Sequence, residues 1–497
     1  MLYNVLVFIP SQMSAVITRS EVLAAQKAWA DALLKISADY KSGGYSKAKA
    51  TATDIILAAY NYQYSPVAFK PTLTSAPQTF RPTFDGALSY FVGGNPAYPN
   101  DDGFAIKPWS SYKIDNNVIQ LDGDSAISMG NISLYDPNGV ATIVDKTFGF
   151  SKGLDGIVRI NLHHSSGVVN GASLPAEDLR QVASNSSYSV KLTDVLSAQS
   201  AWGEALIKIS ADYKSGGLSK AKATAENVID QAYNYQFGPV AFKPTLTSAP
   251  QTFRPAFDGA LSYFVGGNSE YPGDKGFALV SPTGAPWSSF KVENKVVQLD
   301  GDSAISMGNV YLYDEKGVAT VVDKTFGWNK SSDGTMRLNL HHSSSRNNSP
   351  SNTDSPTGTP LYRFIDRADG SHLFTNNLKE IDAITGARFS YEGIGFNTPN
   401  NGTQSLYRFY NSSKDSHFYT ASEAEKNALV APSSGYAFEG TAGNVLASGS
   451  VVTTSTPVYR LFNAGSGRHL FTIDQLERSN LLASSTGWVS EGVGFNV

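Results

Sequence analysis

The chain has 497 residues, of which 41% are hydrophobic and only 16% charged, and its formal net charge is −4. That length supports several domains with cores of their own, while so even a charge balance offers no basic surface for nucleic acid. No run of about 18 apolar residues reads as a membrane-spanning helix, and the absence of cysteine removes disulfides, thiolate nucleophiles and any zinc site that needs sulfur.

Residues 1–19 read as a leader. The apolar run has no Lys or Arg before Arg19 and no clear small-x-small cleavage site, so it makes a poor signal peptide or an atypical one. Low charge, lack of cysteine and Ser/Thr-rich linkers point to an exported protein, periplasmic or extracellular. From residue 20 the apolar positions Leu23, Trp29, Leu33, Leu34 and Ile36 fall on one helical face, and SGG at 42–44 stops that helix. A second helix, rich in Ala, Lys and Thr, runs from about Ser46 to Tyr60. Short runs alternating at period two follow, among them NVIQL, SAISMGNISLY, ATIVDKTFGF and VRINLHH, separated by turns such as LDGD and DPNG. Helices followed by an antiparallel sheet predict an α+β domain, a curved sheet wrapped on a helix with a pocket at its open end.

That pattern occurs twice. AFKPTLTSAPQTFRP at 68–82 returns unchanged at 241–255, and after a five-residue insertion, SPTGA at 281–285, the correspondence resumes through LHHSS at 162–166 and 340–344. The predicted organisation is a first cone domain over 20–167, a linker over 168–192 and a second cone over 193–345. A Ser/Asn/Pro-rich linker spans 346–360, and a different domain spans 361–497. This last part repeats LYRFIDRADGSHLFT, LYRFYNSSKDSHFYT and VYRLFNAGSGRHLFT, each followed by an aromatic-acidic ending. It predicts a β-rich domain with pseudo-threefold symmetry. His372, His417 and His469 sit at equivalent places, either in shallow aromatic pockets suited to a glycan or cell-wall ligand or in a packed threefold core.

LHHSS holds four of the seven histidines. Adjacent strand residues face opposite ways, so His163 and His164 cannot both bind one ion, and no metal or other cofactor is expected. The same alternation sends His163 and Ser165 together into the cone, with His164 and Ser166 facing outward or into an interface. A nucleophile-base pair is disfavoured, because neighbours along one strand do not face each other across a site and no G-x-S-x-G elbow occurs. Taken alone, His163 reads as a hydrogen-bonded wall residue, Thr72 as a strand residue and Tyr90 as core.

The ordered set FKPTL, FRPTFDGALSYFVGG, DGFAI and LHHSS resembles the iota-class carbonic anhydrases, which have nuclear transport factor 2-like cone domains and act without metal. The resemblance implies reversible hydration of carbon dioxide to bicarbonate. It implies sites at Thr72, Tyr90, His163 and Ser165 in the first copy and at Thr245, Tyr263, His341 and Ser343 in the second. Arg81 and Arg254 are secondary candidates for holding the anion. The competing reading is a non-catalytic assembly or ligand-binding protein, since such cones also serve as association domains that pair within a chain or between chains. The C-terminal part resembles a bacterial repeat domain with no assigned chemistry.

Overall fold

The computed structural model describes residues 16–74, 78–153, 155–167, 178–182, 189–247, 251–331, 333–345, 358–366, 369–385, 388–399, 401–446, 455–484 and 486–497. Most of the expected leader therefore lies outside the described residues. Its end does not: Thr18 caps helix α1 (Arg19–Ala59) in a reciprocal capping box with Glu21. The helix bends sharply at Gly44, whose φ of 68° suits glycine and divides it into the two arms read from the sequence.

Strand β1 (Ala68–Lys70) and helix α2 (Phe84–Val92) come next, followed by β2 (Ser111–Asp122), β3 (Ser125–Tyr135), β4 (Ala141–Lys152) and β5 (Val158–Gly167). These strands form one sheet in the order β1-β5-β4-β3-β2, antiparallel except for the parallel pair β1/β5. The concave face closes on Trp29, Leu33, Ile36 and Ile56 of α1 and on Tyr90 and Phe91 of α2. One difference from the expected linker is β6 (Asp178–Val182), which adds to the sheet edge parallel to β2. Its sequence, DLRQV, is too short and too charged to announce a strand by alternation.

The second cone repeats the plan with α3 (Leu192–Ala232), β7 (Ala241–Lys243), α4 (Phe257–Val265), β8 (Trp287–Asp300), β9 (Ser303–Asp314), β10 (Ala319–Lys330) and β11 (Met336–Ser345), in the sheet order β7-β11-β10-β9-β8. The convex faces of the two sheets meet. Ala68, Val118, Met129 and Leu162 pack there against Ala241, Val296, Met307 and Leu340. Polar contacts across the seam are reciprocal: Gln120 Nε2 donates to Asn339 O and Gln298 Nε2 to Asn161 O, both at 2.9 Å.

The C-terminal domain has three three-stranded sheets. They are β12 (Thr359–Asp366) with β13 (His372–Thr375) and β14 (Phe389–Thr398), then β15 (Gln404–Asn411) with β16 (Ser416–Thr420) and β17 (Ala437–Val445), then β18 (Pro457–Asn463) with β19 (Arg468–Thr472) and β20 (Trp488–Asn496). Each carries a short helix after its second strand: α5 (Leu378–Ile384), α6 (Glu423–Leu429) and α7 (Gln475–Ala483). Phe374, Tyr419 and Phe471 meet at the centre with ring centroids 5.5 and 5.7 Å apart. The circle is closed by charge. Arg363 pairs with Glu477, Arg408 with Glu380 and Arg460 with Glu425, at 2.6, 2.7 and 2.9 Å, each arginine reaching the helix of the preceding repeat. The domain rests on the second cone through Phe364, Leu373 and Ile381 against Leu192 and Leu196.

Candidate active site

Strand β5 carries the LHHSS stretch next to the edge of the first sheet, between β1 and β4, and its pleat sorts the four polar side chains. Ser165 lies opposite Lys146 of β4, and His163 opposite Phe148; all four face the cone interior. The hydroxyl of Ser165 is hydrogen-bonded to that of Thr72, which follows β1 by two residues, so the chain turn at Pro71 delivers Thr72 to the strand beside it. Tyr90 descends from α2 and stacks on Phe104, with centroids 5.5 Å apart. Its hydroxyl is buried beside Thr72 without a well-formed hydrogen bond to protein. Burial raises its pKa, opposed by the hydroxyl and backbone of Thr72 beside it. The second copy repeats this at Thr245, Ser343 and Tyr263, whose hydroxyl is likewise buried without a partner. There a cavity of about 630 Å³ opens over Thr245 and Tyr263.

His163 is enclosed by rings: Phe69 stacks on it at 4.3 Å, Phe148 lies at 4.8 Å and Trp29 meets it edge-on at 5.4 Å. Its Nδ1 is 2.8 Å from the Tyr60 hydroxyl, which accepts from Trp29 Nε1 at 2.9 Å. An indole nitrogen only donates, so the Tyr60 hydrogen is free to go to Nδ1. A neutral imidazole then carries its own hydrogen on Nε2. That nitrogen faces Lys146 Nζ; the equivalent pair, His341 Nε2 and Lys324 Nζ, is 2.6 Å apart. Burial holds Lys146 well below the usual lysine value, and Lys70 pushes it further the same way. Burial likewise drives His163 far below 6.5, with Lys146 adding to the push. Trp29, Tyr60, His163 and Lys146 thus form one buried hydrogen-bonded chain, and the Lys146 nitrogen also lies 4.5 Å over the Trp29 ring.

The other face of β5 points into the seam. His164 and His342 stack with centroids 3.7 Å apart and planes 4° from parallel. Each reaches the other cone, His164 to Thr325 at 2.7 Å and Ser344 at 3.1 Å, His342 to Thr147 at 2.8 Å and Ser166 at 3.2 Å. Beside them run two buried crossed ion pairs, Lys70 with Asp323 at 3.7 Å and Lys243 with Asp145 at 3.6 Å. Lys70 Nζ also donates to the Ser165 carbonyl at 3.2 Å, so the seam holds the strand that bears the hydroxyl pair.

Arg81 and Arg254 do not reach an anion site. Arg81 grips Asp101 with two nitrogens, at 3.1 and 2.6 Å, donates to the carbonyls of Gln78 and Phe80 and stacks on Tyr98. Arg254 does the same with Asp274 and Tyr271. A guanidinium so occupied is a brace for the loop after α2, which is the physical reason to remove both from the candidate anion ligands. In the third domain His372, His417 and His469 face Glu392, Glu439 and Glu491 at 3.2, 3.4 and 3.2 Å, beside the ring-closing arginines. An acidic trio there, Asp366, Asp369 and Asp415, is bound by Arg388 and Arg468.

A family model described as metal-independent carbonic anhydrase matches residues 20–167 and again 193–345. The chain belongs to that family. A metal-independent carbonic anhydrase of Nostoc sp. is 51% identical over 152 residues, 31% of this chain and 72% of that one. A solved iota-carbonic anhydrase from a cyanobacterium, complexed with bicarbonate, is 50% identical and covers 31% of this chain and 95% of its own, with a TM-score of 0.31. A nuclear transport factor 2-like protein from Salmonella enterica is 14% identical over 31% of this chain and 92% of its own, with a TM-score of 0.20. Residues 360–497 match a domain of unknown function. The family is one of lyases, in line with the resemblance read from FKPTL, LSYFVGG and LHHSS. Lys146, Tyr60 and Trp29, with Lys324, Tyr233 and Trp202, were not read as site residues from the sequence. The only signal for the lysine was a charge in an otherwise inward-facing position of ATIVDKTFGF.

Proposed function

We propose that each cone hydrates carbon dioxide reversibly to bicarbonate without a metal, giving two working sites per chain. The observation that carries this reading is the buried, unpartnered hydroxyl of Tyr90, and of Tyr263, set beside a threonine-serine hydroxyl pair. A buried donor without a partner costs stability, and a ligand oxygen relieves that cost. Three hydroxyls from Thr72, Tyr90 and Ser165 suit the three oxygens of bicarbonate, and they stabilise charge as it develops on oxygen in the transition state. The buried His163, two residues before Ser165 on β5 and hydrogen-bonded to Tyr60, orients the strand face that carries the hydroxyl pair.

The seam supports a further part of the reading, that the two cones act as a covalently joined pair. The C-terminal domain is proposed as an attachment module outside the chemistry, with a glycan or cell-wall ligand. Its support is an independent core and its distance in sequence from the hydroxyl sites. Retention of the full chain on cell-wall material, competed by soluble glycan, tests that role.

Carbon dioxide hydration should be measured on the full chain with and without a strong chelator, and on Tyr90→Phe, Tyr263→Phe and the double variant. Activity indifferent to chelator, roughly halved in each single variant and lost by about 100-fold in the double one, is expected. Chelator-sensitive activity would sink the metal-free mechanism. One single variant as dead as the double would sink the claim of two working sites.

A further inference from the structure

The two copies differ most where the cones open. In the first, Lys107 and Pro108 lead directly into Trp109. In the second, Val280 replaces the lysine, and residues 281–285 intervene before Pro286 and Trp287. The inserted loop is built into the cone. Ser281 and Thr283 donate to Asp314 at 2.8 and 2.6 Å, and the Ser281 N–H closes the turn on the Ala285 carbonyl at 2.8 Å. It changes what it covers. Val140 is 63% exposed in the first copy, while its counterpart Val318 is half-buried; Trp109 is half-buried, while Trp287 is 2% exposed.

The result is a walled vestibule in the second copy. Its floor holds Thr245 and the unpartnered Tyr263 hydroxyl, and its sides are Phe277, Val280, Pro282 and Trp287. At about 630 Å³ it is far larger than bicarbonate, with four non-hydrogen atoms, requires. The first copy instead presents a cation at this point, with the Lys107 ammonium 5.8 Å over the Phe104 ring.

We propose that the second site takes a monocarboxylate bearing a compact apolar or aromatic tail, which competes with bicarbonate there and not in the first copy. The carboxylate occupies the hydroxyl floor, so the proposal rests on the oxyanion reading of Thr245 and Tyr263. The tail fills the apolar vestibule, where burying a ring favours binding by about tenfold or more over a bare carboxylate.

The test uses benzoate and acetate as probes with the full chain, with binding followed by ligand-observed NMR and calorimetry. Benzoate should bind one per chain, at least about tenfold tighter than acetate, and weaken by about tenfold in Tyr263→Phe. Restoring the first copy's mouth by Val280→Lys with deletion of 281–285 should erase the preference for benzoate. Val280→Lys alone serves if the deletion does not fold. Benzoate no tighter than acetate, two equal benzoate sites per chain, or a preference unchanged by the mouth variants would overturn the proposal. Hydration measured in parallel separates the two readings. An active enzyme without benzoate preference removes this inference alone, and an inactive chain that binds benzoate removes the catalytic reading alone.

Discussion

Acid should unfold this protein steeply, and histidine is the reason. His163, His164, His341 and His342 are fully buried, and burial comes first in driving each far below 6.5, with nearby amines adding to it. Unfolded, each takes up a proton near 6.5; folded, each refuses it. Stability is therefore complete above that value and declines as pH falls towards the depressed folded values. Each histidine contributes about 1.4 kcal/mol per pH unit, so the four cost about 5 kcal/mol by about pH 5.5. That equals the whole stability of a modest domain, about 5 to 15 kcal/mol. His417 and His469, lowered to about 4 by burial and then by Arg408 and Arg460, act in the same direction. Urea unfolding from pH 8 to 5, with proton uptake followed by an indicator, should show about five extra protons bound by histidine per unfolded chain near pH 5.5. Uptake of two or fewer, or histidine C2 resonances of the cones titrating near 6.5 in the folded state, would refute the reasoning.

Two tyrosines of one cone should separate in their effects. Tyr60→Phe breaks the links to Trp29 and His163 and should cost about 1 to 3 kcal/mol, whereas Tyr90→Phe removes a buried hydroxyl that has no well-formed hydrogen bond and should leave the urea midpoint unchanged or raised. Across the seam, Asp323→Asn strands Lys70 in a site only 5% exposed and should cost about 3 to 5 kcal/mol, while Lys70→Met with Asp323→Leu should recover most of that loss in a double-mutant cycle. In the third domain, Glu477→Gln opens the ring between first and last repeats; thermal unfolding should show a loss of about 1 to 3 kcal/mol that adding Arg363→Met does not deepen.

The alternation of β5 was legible because a pleat leaves no choice: His163 and Ser165 go one way, His164 and Ser166 the other. The two arms of α1 were legible from SGG and the spacing of Trp29, Leu33 and Ile36. Partners supplied by other elements were not. Lys146 meets His163 only through the register of β4 on β5, and Tyr60 through the end of a helix about 100 residues earlier in the chain. Arg81 looked like an anion ligand because its carboxylate partner, Asp101, lies 20 residues away across a helix. The outward histidines read equally as facing solvent or an interface, because what they touch is the other copy.

That mutual contact has a consequence for how the protein behaves when scarce. A pairing between separate subunits weakens on dilution, since it must be re-formed by collision, but the two cones here share one backbone and meet at a fixed effective concentration. Their stacked imidazoles should persist at any protein concentration. Joined halves are also free to diverge, since a change in one is never copied into its partner. The loop at 281–285 exists on one side only, an asymmetry that an assembly of identical subunits has no means to encode.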